Sequence, residues 1–569
     1  MRLYPERYII IILMICLGSC KQSTEKQETV KAVPEWYSNA FIYNLDVETF
    51  KDSNGDGTGD FNGLTQKLGY LDTLGVDVIW LAPFQPTPNG DDGYDETDYY
   101  GIDKNLGTAA DFQNFMAAAK KKGIKVIMDL VLNHTSSGHD WFKMARADTT
   151  SKYHSWYVWS DKKPGDADKG LVFPGVQTET WTFDEATKKY YFHRFYDFEP
   201  DLNYEEPQVR EMAADVLRYW LKKGVDGFRL DAVPFIIDLP KTGSANPKHM
   251  FDLLTSMRKT VQSINPNAVL LGEANVTAEE NKDFFGTNGN RLQMMFNFYV
   301  NQYLFYSLAR EDPESLKKAL EEFRLKPATS QWAFFLRNHD EVDLARLTKS
   351  QRSLVFKKFG PESNMQIYDR GIRRRLAPML ADPALIRMSY SLLFSFPGAP
   401  VIRYGEEIGM GDDLTLQERL SVRTPMQWDR SANSGFSTDS ITVRPVIGYG
   451  DYSFQKVNVA DESADKNSLL SFIKNLVEIR KLHPEIGLGE WKILDAGNSN
   501  IMAIQYLFKG KQLIAVHNFS KSPQQFSLEE KAVQGADFTE LTGGKKQVNI
   551  GNGGKIQLNG YGFQWYTAK

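Results

Sequence analysis

The sequence predicts an α/β protein: a (β/α)8 barrel with an inserted subdomain after its third strand and a C-terminal antiparallel β-sandwich domain. From about residue 36 onward, short β-rich apolar runs alternate with amphipathic stretches of ten or more residues. That is the pattern of repeated strand–helix units around a parallel sheet. The stretch from His134 to about Pro200 is far longer than an ordinary strand-to-helix loop and is rich in Trp, Tyr, Gly and Lys, so it reads as a small subdomain beside the barrel mouth. After about residue 490 the pattern shortens to alternating segments, 501–508 and 512–518 around Lys509-Gly510-Lys511 among them, as a terminal antiparallel domain requires.

Eight strands account for the barrel: 40–46, 76–81, 125–130, 227–230, 268–272, 292–297, 332–336 and 399–404, with helices such as 111–122 and 207–223 between them. Eight such units close a TIM barrel, whose site is built at the carboxyl ends of the strands. The expected layout is a leader over 1–20, a tether over 21–35, the barrel over 36–489 with its insertion at about 134–200, and the terminal domain over 490–569.

The chain of 569 residues is 42% hydrophobic and 24% charged, with a formal charge of −5. This is a globular composition of two or three domains, with no basic field to hold nucleic acid. At the N-terminus Arg2 and Arg7 precede an apolar stretch over 8–17 that is too short to span a bilayer. It ends in Leu17-Gly18-Ser19-Cys20, which resembles a bacterial lipobox. The resemblance implies an exported lipoprotein with a lipidated Cys20, held to the membrane by that anchor alone. The mature chain would keep one acylated Cys and form no intrachain disulfide.

Four runs place reactive side chains at strand ends: Asp129-Leu130-Val131-Leu132-Asn133-His134, Gly227-Phe228-Arg229-Leu230-Asp231-Ala232, Leu271-Gly272-Glu273-Ala274 and Leu336-Arg337-Asn338-His339-Asp340. Retaining cleavage of a glycosidic bond needs one ionised carboxylate to attack the anomeric carbon and one protonated carboxyl to protonate the leaving oxygen, about 5–5.5 Å apart. Asp231 and Glu273 fit those roles. Arg229, two positions before Asp231 on the same face, is expected to keep it ionised by lowering its pKa. The apolar neighbours Leu270, Leu271 and Ala274 are expected to raise that of Glu273. Asp340 then stabilises the oxocarbenium-like transition state, and His134 and His339 bond the sugar ring.

Order, spacing and residue types resemble glycoside hydrolase family 13, the α-amylase family, from Trp36 to Lys569. The resemblance implies Asp231 as nucleophile, Glu273 as proton donor and Asp340 as stabiliser, supported by Asn133, His134, Arg229 and His339. It also implies that Tyr94 and Asp95 hold the terminal glucose. Ala232-Val233 resembles members acting on α-1,4 links, so the first expectation is hydrolysis of maltose or malto-oligosaccharides through a glucosyl-enzyme. The alternative is isomerisation of maltose to trehalose. Segments 371–378, 409–412 and 422–428 look like the trehalose synthase branch, although Glu199 stands where that branch normally has Gln. A catalytically dead glucan-binding protein is the remote third reading.

The run Asp52-Ser53-Asn54-Gly55-Asp56-Gly57-Thr58-Gly59-Asp60 alternates oxygen ligands with Gly, as a tight loop round a hard cation does. Similar loops in the α-glucosidase branch imply structural calcium held by Asp52, Asn54, Asp56, Thr58 and Asp60; a metal-free polar turn is the other reading. The trehalose synthase branch further implies a second metal at Asn133, Asp201, Asp238 and the carbonyls of Phe235 and Ile236, with Asp238 replacing a longer Glu. Simple hydrogen bonding that pins the insertion to the barrel is the alternative for Asn133 and Asp201.

Overall fold

The computed structural model describes residues 36–239, 241, 249–528, 533, 537–544, 546–548, 550 and 555–568. The leader, Cys20 and the tether lie outside the described residues. Eight parallel strands close the barrel: Ile42–Leu45, Val78–Leu81, Lys125–Leu130, Gly227–Leu230, Val269–Gly272, Met294–Phe296, Gln331–Phe335 and Ala399–Arg403. The first pairs with the last, Ile42 opposite Val401 and Asn44 opposite Arg403. Each expected strand is present, two with the expected bounds and the others with ends shifted by at most two residues.

Alternation along the strands decides what fills the barrel. Ile42, Val78, Trp80, Ile127, Val269, Leu271, Met294, Phe296, Ala333, Phe335, Ala399 and Val401 pack as one inner cluster. The alternate residues face the helices. In Pro207–Lys222, for example, Val209, Met212, Ala213, Val216, Leu217 and Trp220 are buried at helical spacing. Pro207 starts that helix, where its missing N–H costs nothing, and the Glu206 side chain caps it.

The insertion forms a three-stranded antiparallel sheet of Trp159–Ser160, Lys189–Phe192 and Trp181–Asp184. Its returning chain is tied to the third barrel strand's exit, Leu202 N donating to Asn133 O at 2.9 Å and Thr135 N to Pro200 O at 3.2 Å. A second excursion, absent from the sequence expectations, follows the seventh strand: the helix Lys349–Phe359 and a small sheet of Val342–Asp343, Gly371–Ile372 and Gln366–Ile367. Past Gly489 comes a six-stranded antiparallel sheet, with the pair Gln524–Phe526 and Ile556–Leu558 as a second sheet. Ile501, Ile514, Phe526, Leu558 and Tyr566 pack into one cluster of this region. Its tightest hairpin turns at Lys509 and Gly510, both at positive φ, the geometry a two-residue turn requires.

Candidate active site

The inward-facing rows run on past the apolar core and end in the site. Asp129 follows Ile127 on the third strand, Asp231 follows Arg229 on the fourth, and Glu273 follows Leu271 on the fifth, each at the two-residue spacing that keeps a side chain inside. Arg229 is the hub. Its Nη1 donates to Asp129 Oδ1 at 2.7 Å and to Asp231 Oδ1 at 2.5 Å, while Nη2 lies 2.9 Å from Glu273 Oε1. A single planar guanidinium therefore bridges the two expected catalytic carboxyls and keeps them close together, as retaining chemistry requires. Ala232 adopts a left-handed conformation at φ 47°, a strained state for a residue with a Cβ, and its N–H donates to Glu273 Oε2 at 3.0 Å.

Burial governs the protonation states. It pushes Glu273 up to about 7 against the pull of Arg229, helped by the negative charges of Asp231 and Asp340. That is the state a proton donor needs. Burial also pushes Asp231 up to about 6, with Arg229 opposing and Asp129 reinforcing. The expectation that Arg229 leaves Asp231 below its usual value is thus corrected, because one guanidinium shared among three buried carboxylates cannot offset the desolvation of each. Asp340 goes the other way: burial would raise it, but His339, Arg419, Arg423 and Arg229 together hold it well below the usual carboxylate range. It is a permanent negative charge.

Tyr94 and His339, both expected to meet a sugar ring, pack against each other. Their rings stack with centroids 5.5 Å apart, and Tyr94 OH lies 2.6 Å from His339 Nε2. His339 Nε2 is 3.2 Å from Asp340 Oδ2, and Asp340 Oδ1 accepts from Arg419 Nη1 at 2.9 Å and Arg423 Nη2 at 3.0 Å. His134 Nε2 sits 3.2 Å from the Tyr94 carbonyl, and burial lowers its pKa to about 4, leaving a neutral imidazole. Asp95 is not a cleft residue. Its carboxylate accepts from Thr87 Oγ1 at 2.7 Å and from Gly90 N at 3.0 Å, folding its own loop, so its expected sugar contact is corrected. The loop instead presents Asp91, which lines the cleft and accepts from Arg419 Nη2 at 2.6 Å. Neither Asp91 nor Arg419 stands out in sequence, since no strand-end pattern marks them.

The cleft encloses about 670 Å³. The insertion supplies one wall through Val172, Phe173 and Phe195; the excursion after the seventh strand supplies the facing wall through Glu341, Asp343 and Arg370. The walls touch. Arg370 Nη1 donates to the Val172 carbonyl, Phe173 packs on Tyr196 and Tyr368 with centroids 4.8 Å away in each case, and Glu418 accepts from Tyr196 OH at 2.5 Å and Tyr368 OH at 2.6 Å. Behind this contact, segments 371–378 and 409–412 are tied together: Asp412 accepts from Arg375 N at 2.9 Å and Arg374 Nε at 3.2 Å, and Arg375 is fully buried.

The 52–60 loop spends its carboxylates on its own N–H groups. Asp52 accepts from Asn54, Gly55 and Gly57, and Asp60 accepts from Ser53 and Gly63. Asn54 and Asp56 are exposed, and Thr58 N donates to Asp56. The second expected metal set does come together, but around an ammonium: Lys241 Nζ donates to Asn133 Oδ1 at 2.6 Å, to Asp201 Oδ2 at 3.1 Å and to the Phe235 carbonyl. Asp238 pairs instead with Arg194 at 3.1 Å. With Lys241 in that place the set does not fit a metal ion, which corrects the expected second site at Asn133, Asp201, Phe235, Ile236 and Asp238. Among the described residues, no group of three or more His, Cys, Asp or Glu converges as a metal cluster.

Comparison with known proteins agrees with this geometry. The family model "Alpha amylase, catalytic domain" matches residues 41–368 and 373–489. "Trehalose synthase/amylase TreS" of Mycolicibacterium smegmatis is 37% identical over 557 residues, covering 95% of this chain and 94% of the relative. An oligo-1,6-glucosidase of Parageobacillus thermoglucosidasius is 30% identical over 559 residues, covering 88% of this chain and 93% of the relative. Among solved structures, the trehalulose synthase MutB of Pseudomonas mesoacidophila superposes with a TM-score of 0.75 at 28% identity, covering 94% of this chain and 99% of that one. Strand ends, shared guanidinium and matched sequence point the same way: the chain belongs to the α-amylase family.

Proposed function

We propose that the enzyme moves a glucosyl unit from maltose or a short α-1,4-glucoside onto Asp231 and returns it to the anomeric hydroxyl of the freed glucose, giving trehalose. Hydrolysis is the competing fate of the same intermediate. Asp231 attacks the anomeric carbon while Glu273 hands its proton to the glycosidic oxygen, so the C–O bond breaks as the ester forms. Glu273, now ionised, then takes a proton from the incoming hydroxyl, which attacks as the ester breaks. Protons balance whether that hydroxyl belongs to glucose or water.

Sequence alone puts hydrolysis first; one observation supports the other order. Phe173, Tyr196, Tyr368 and Glu418 join the two walls of the cleft that Phe173 and Asp340 line. Walls held together in this way help to retain the leaving glucose, which favours return over hydrolysis. The similarity over nearly the whole chain to proteins named trehalose synthase supports the same reading. Incubation with maltose, followed by chromatography, tests it: trehalose should accumulate ahead of glucose. Glucose alone would restore the hydrolase reading, and no turnover would leave a binding protein.

The alternation of oxygen side chains with Gly over 52–60, around the buried Asp52 and Asp60, supports structural calcium there as part of the proposal. Chelator should lower the melting temperature and calcium restore it. Lipidation of Cys20, motivated by Leu17-Gly18-Ser19-Cys20, would be seen as palmitate incorporation lost in Cys20→Ala.

A further inference from the structure

The junction between the insertion and the barrel holds a buried charge cluster that the chemistry does not use. Lys241 is 3% exposed, Asn133 and Asp201 not at all. Asn133 leaves the third barrel strand, Asp201 ends the insertion, and Phe235 follows the nucleophile on the fourth. The three oxygens that reach Lys241 Nζ come from these three segments, and the other Asp201 oxygen accepts from Arg194 N at 2.8 Å. The ammonium has three donors and all three are used. A carboxylate, an amide oxygen and a carbonyl are also the donor set of a hard-cation site.

We propose that Lys241 is a tethered substitute for a metal ion, locking the insertion to the barrel with the chain's own cation. A site that needed an external ion would couple the cleft wall to its concentration. Here the charge is covalently attached, so the wall beside the nucleophile is set without metal. Asp238, the remaining side chain of the expected set, pairs instead with Arg194 of the insertion, whose Nη1 donates to the Gly170 carbonyl at 3.1 Å. The inference stands whichever acceptor takes the glucosyl unit.

Equilibrium dialysis against radioactive calcium tests this on the full chain. With the 52–60 loop disabled by Asp52→Asn and Asp56→Asn, Lys241 intact, no bound calcium is expected. One ion per chain that disappears on adding Asp201→Asn would overturn the proposal, and this measurement does not depend on how a Lys241 variant folds. In the same background Lys241→Ala should lose several degrees of melting temperature in chelator, or fail to fold there. Added calcium should restore it with one ion bound per chain. A Lys241→Ala protein that keeps its melting temperature in chelator and binds no calcium would equally overturn it.

Discussion

At the scale of single residues, the site works through a contest between burial and one guanidinium. Asp231 must be ionised to attack, so kcat/KM should fall as pH drops through about 6; Glu273 must be protonated, so it should fall as pH rises through about 7. A narrow bell centred between them is the expected profile. Because Arg229 couples Asp129, Asp231 and Glu273, the two limbs belong to the cluster rather than to either residue. Glu273→Gln should cost about 10²–10⁴-fold on maltose and remove the alkaline limb, with far less loss on an aryl glucoside whose leaving group needs no proton; equal losses on both substrates would contradict the assignment. Glu199 has its own explanation. It is fully buried, and burial with the charges of Asp91 and Asp95 pushes its pKa well above the usual range, which favours the neutral carboxyl. Its Oε2 accepts from Tyr196 N at 3.1 Å. A neutral carboxyl has the shape and polarity of the Gln amide that the trehalose synthase branch normally carries. Glu199→Gln is therefore expected to keep kcat/KM within a few-fold, and Glu199→Ala to lose more; steady-state kinetics would separate them.

At the scale of elements, what could be read from sequence followed from period. The eight strands and the three carboxylates were legible because alternation fixes which side chains enter a barrel, and one strand end predicts the next. Asp95 was misplaced for a related reason: Asp91, Asp92 and Asp95 share a loop without period, and only the fold shows that Thr87 and Gly90 claim Asp95 while Arg419 claims Asp91. The excursion after the seventh strand was invisible because its strands are two residues long, too short for any pattern. Lys241 escaped because two of its three partners are 108 and 40 residues away in the chain. That unforeseen excursion carries the next prediction. Arg370 ties it to the insertion through the Val172 carbonyl, and its charge also meets Glu341 at 3.2 Å and Asp343 at 3.4 Å. Arg370→Ala should loosen that tie between the cleft walls without touching Asp231. If about 1 kcal/mol of preference for return is lost, the ratio of glucose to trehalose rises about five-fold. An unchanged ratio would show that the tie does not decide the fate of the intermediate.

At the scale of the whole molecule, the terminal domain holds the barrel's last unit in place. The helix Pro383–Ser395 feeds the eighth strand, and its Ser391 Oγ accepts from Trp565 Nε1 at 2.9 Å and lies 2.9 Å from His517 Nε2. Tyr506 OH donates to the Ser395 carbonyl, while the buried Arg480, on the helix that precedes the terminal domain, donates to the carbonyls of Phe394 and Gly398 just before that strand begins. Trp565 is fully buried and packs within the same apolar cluster as the outer barrel, so no separate core divides the two at this contact. The eighth strand in turn carries Arg403, which pairs with Asp46 and donates to Asn44 Oδ1 at 2.8 Å, joining it to the first strand. Damage at the junction should therefore reach the catalytic end. Trp565→Ala removes a wholly buried indole and leaves Ser391 without its donor, a loss of about 3–5 kcal/mol. Calorimetry should show one unfolding transition shifted down as a unit, with activity lost along the same curve. A variant that melts in two steps, the second at the unmodified temperature and still active between them, would mean that the barrel closes without its terminal domain.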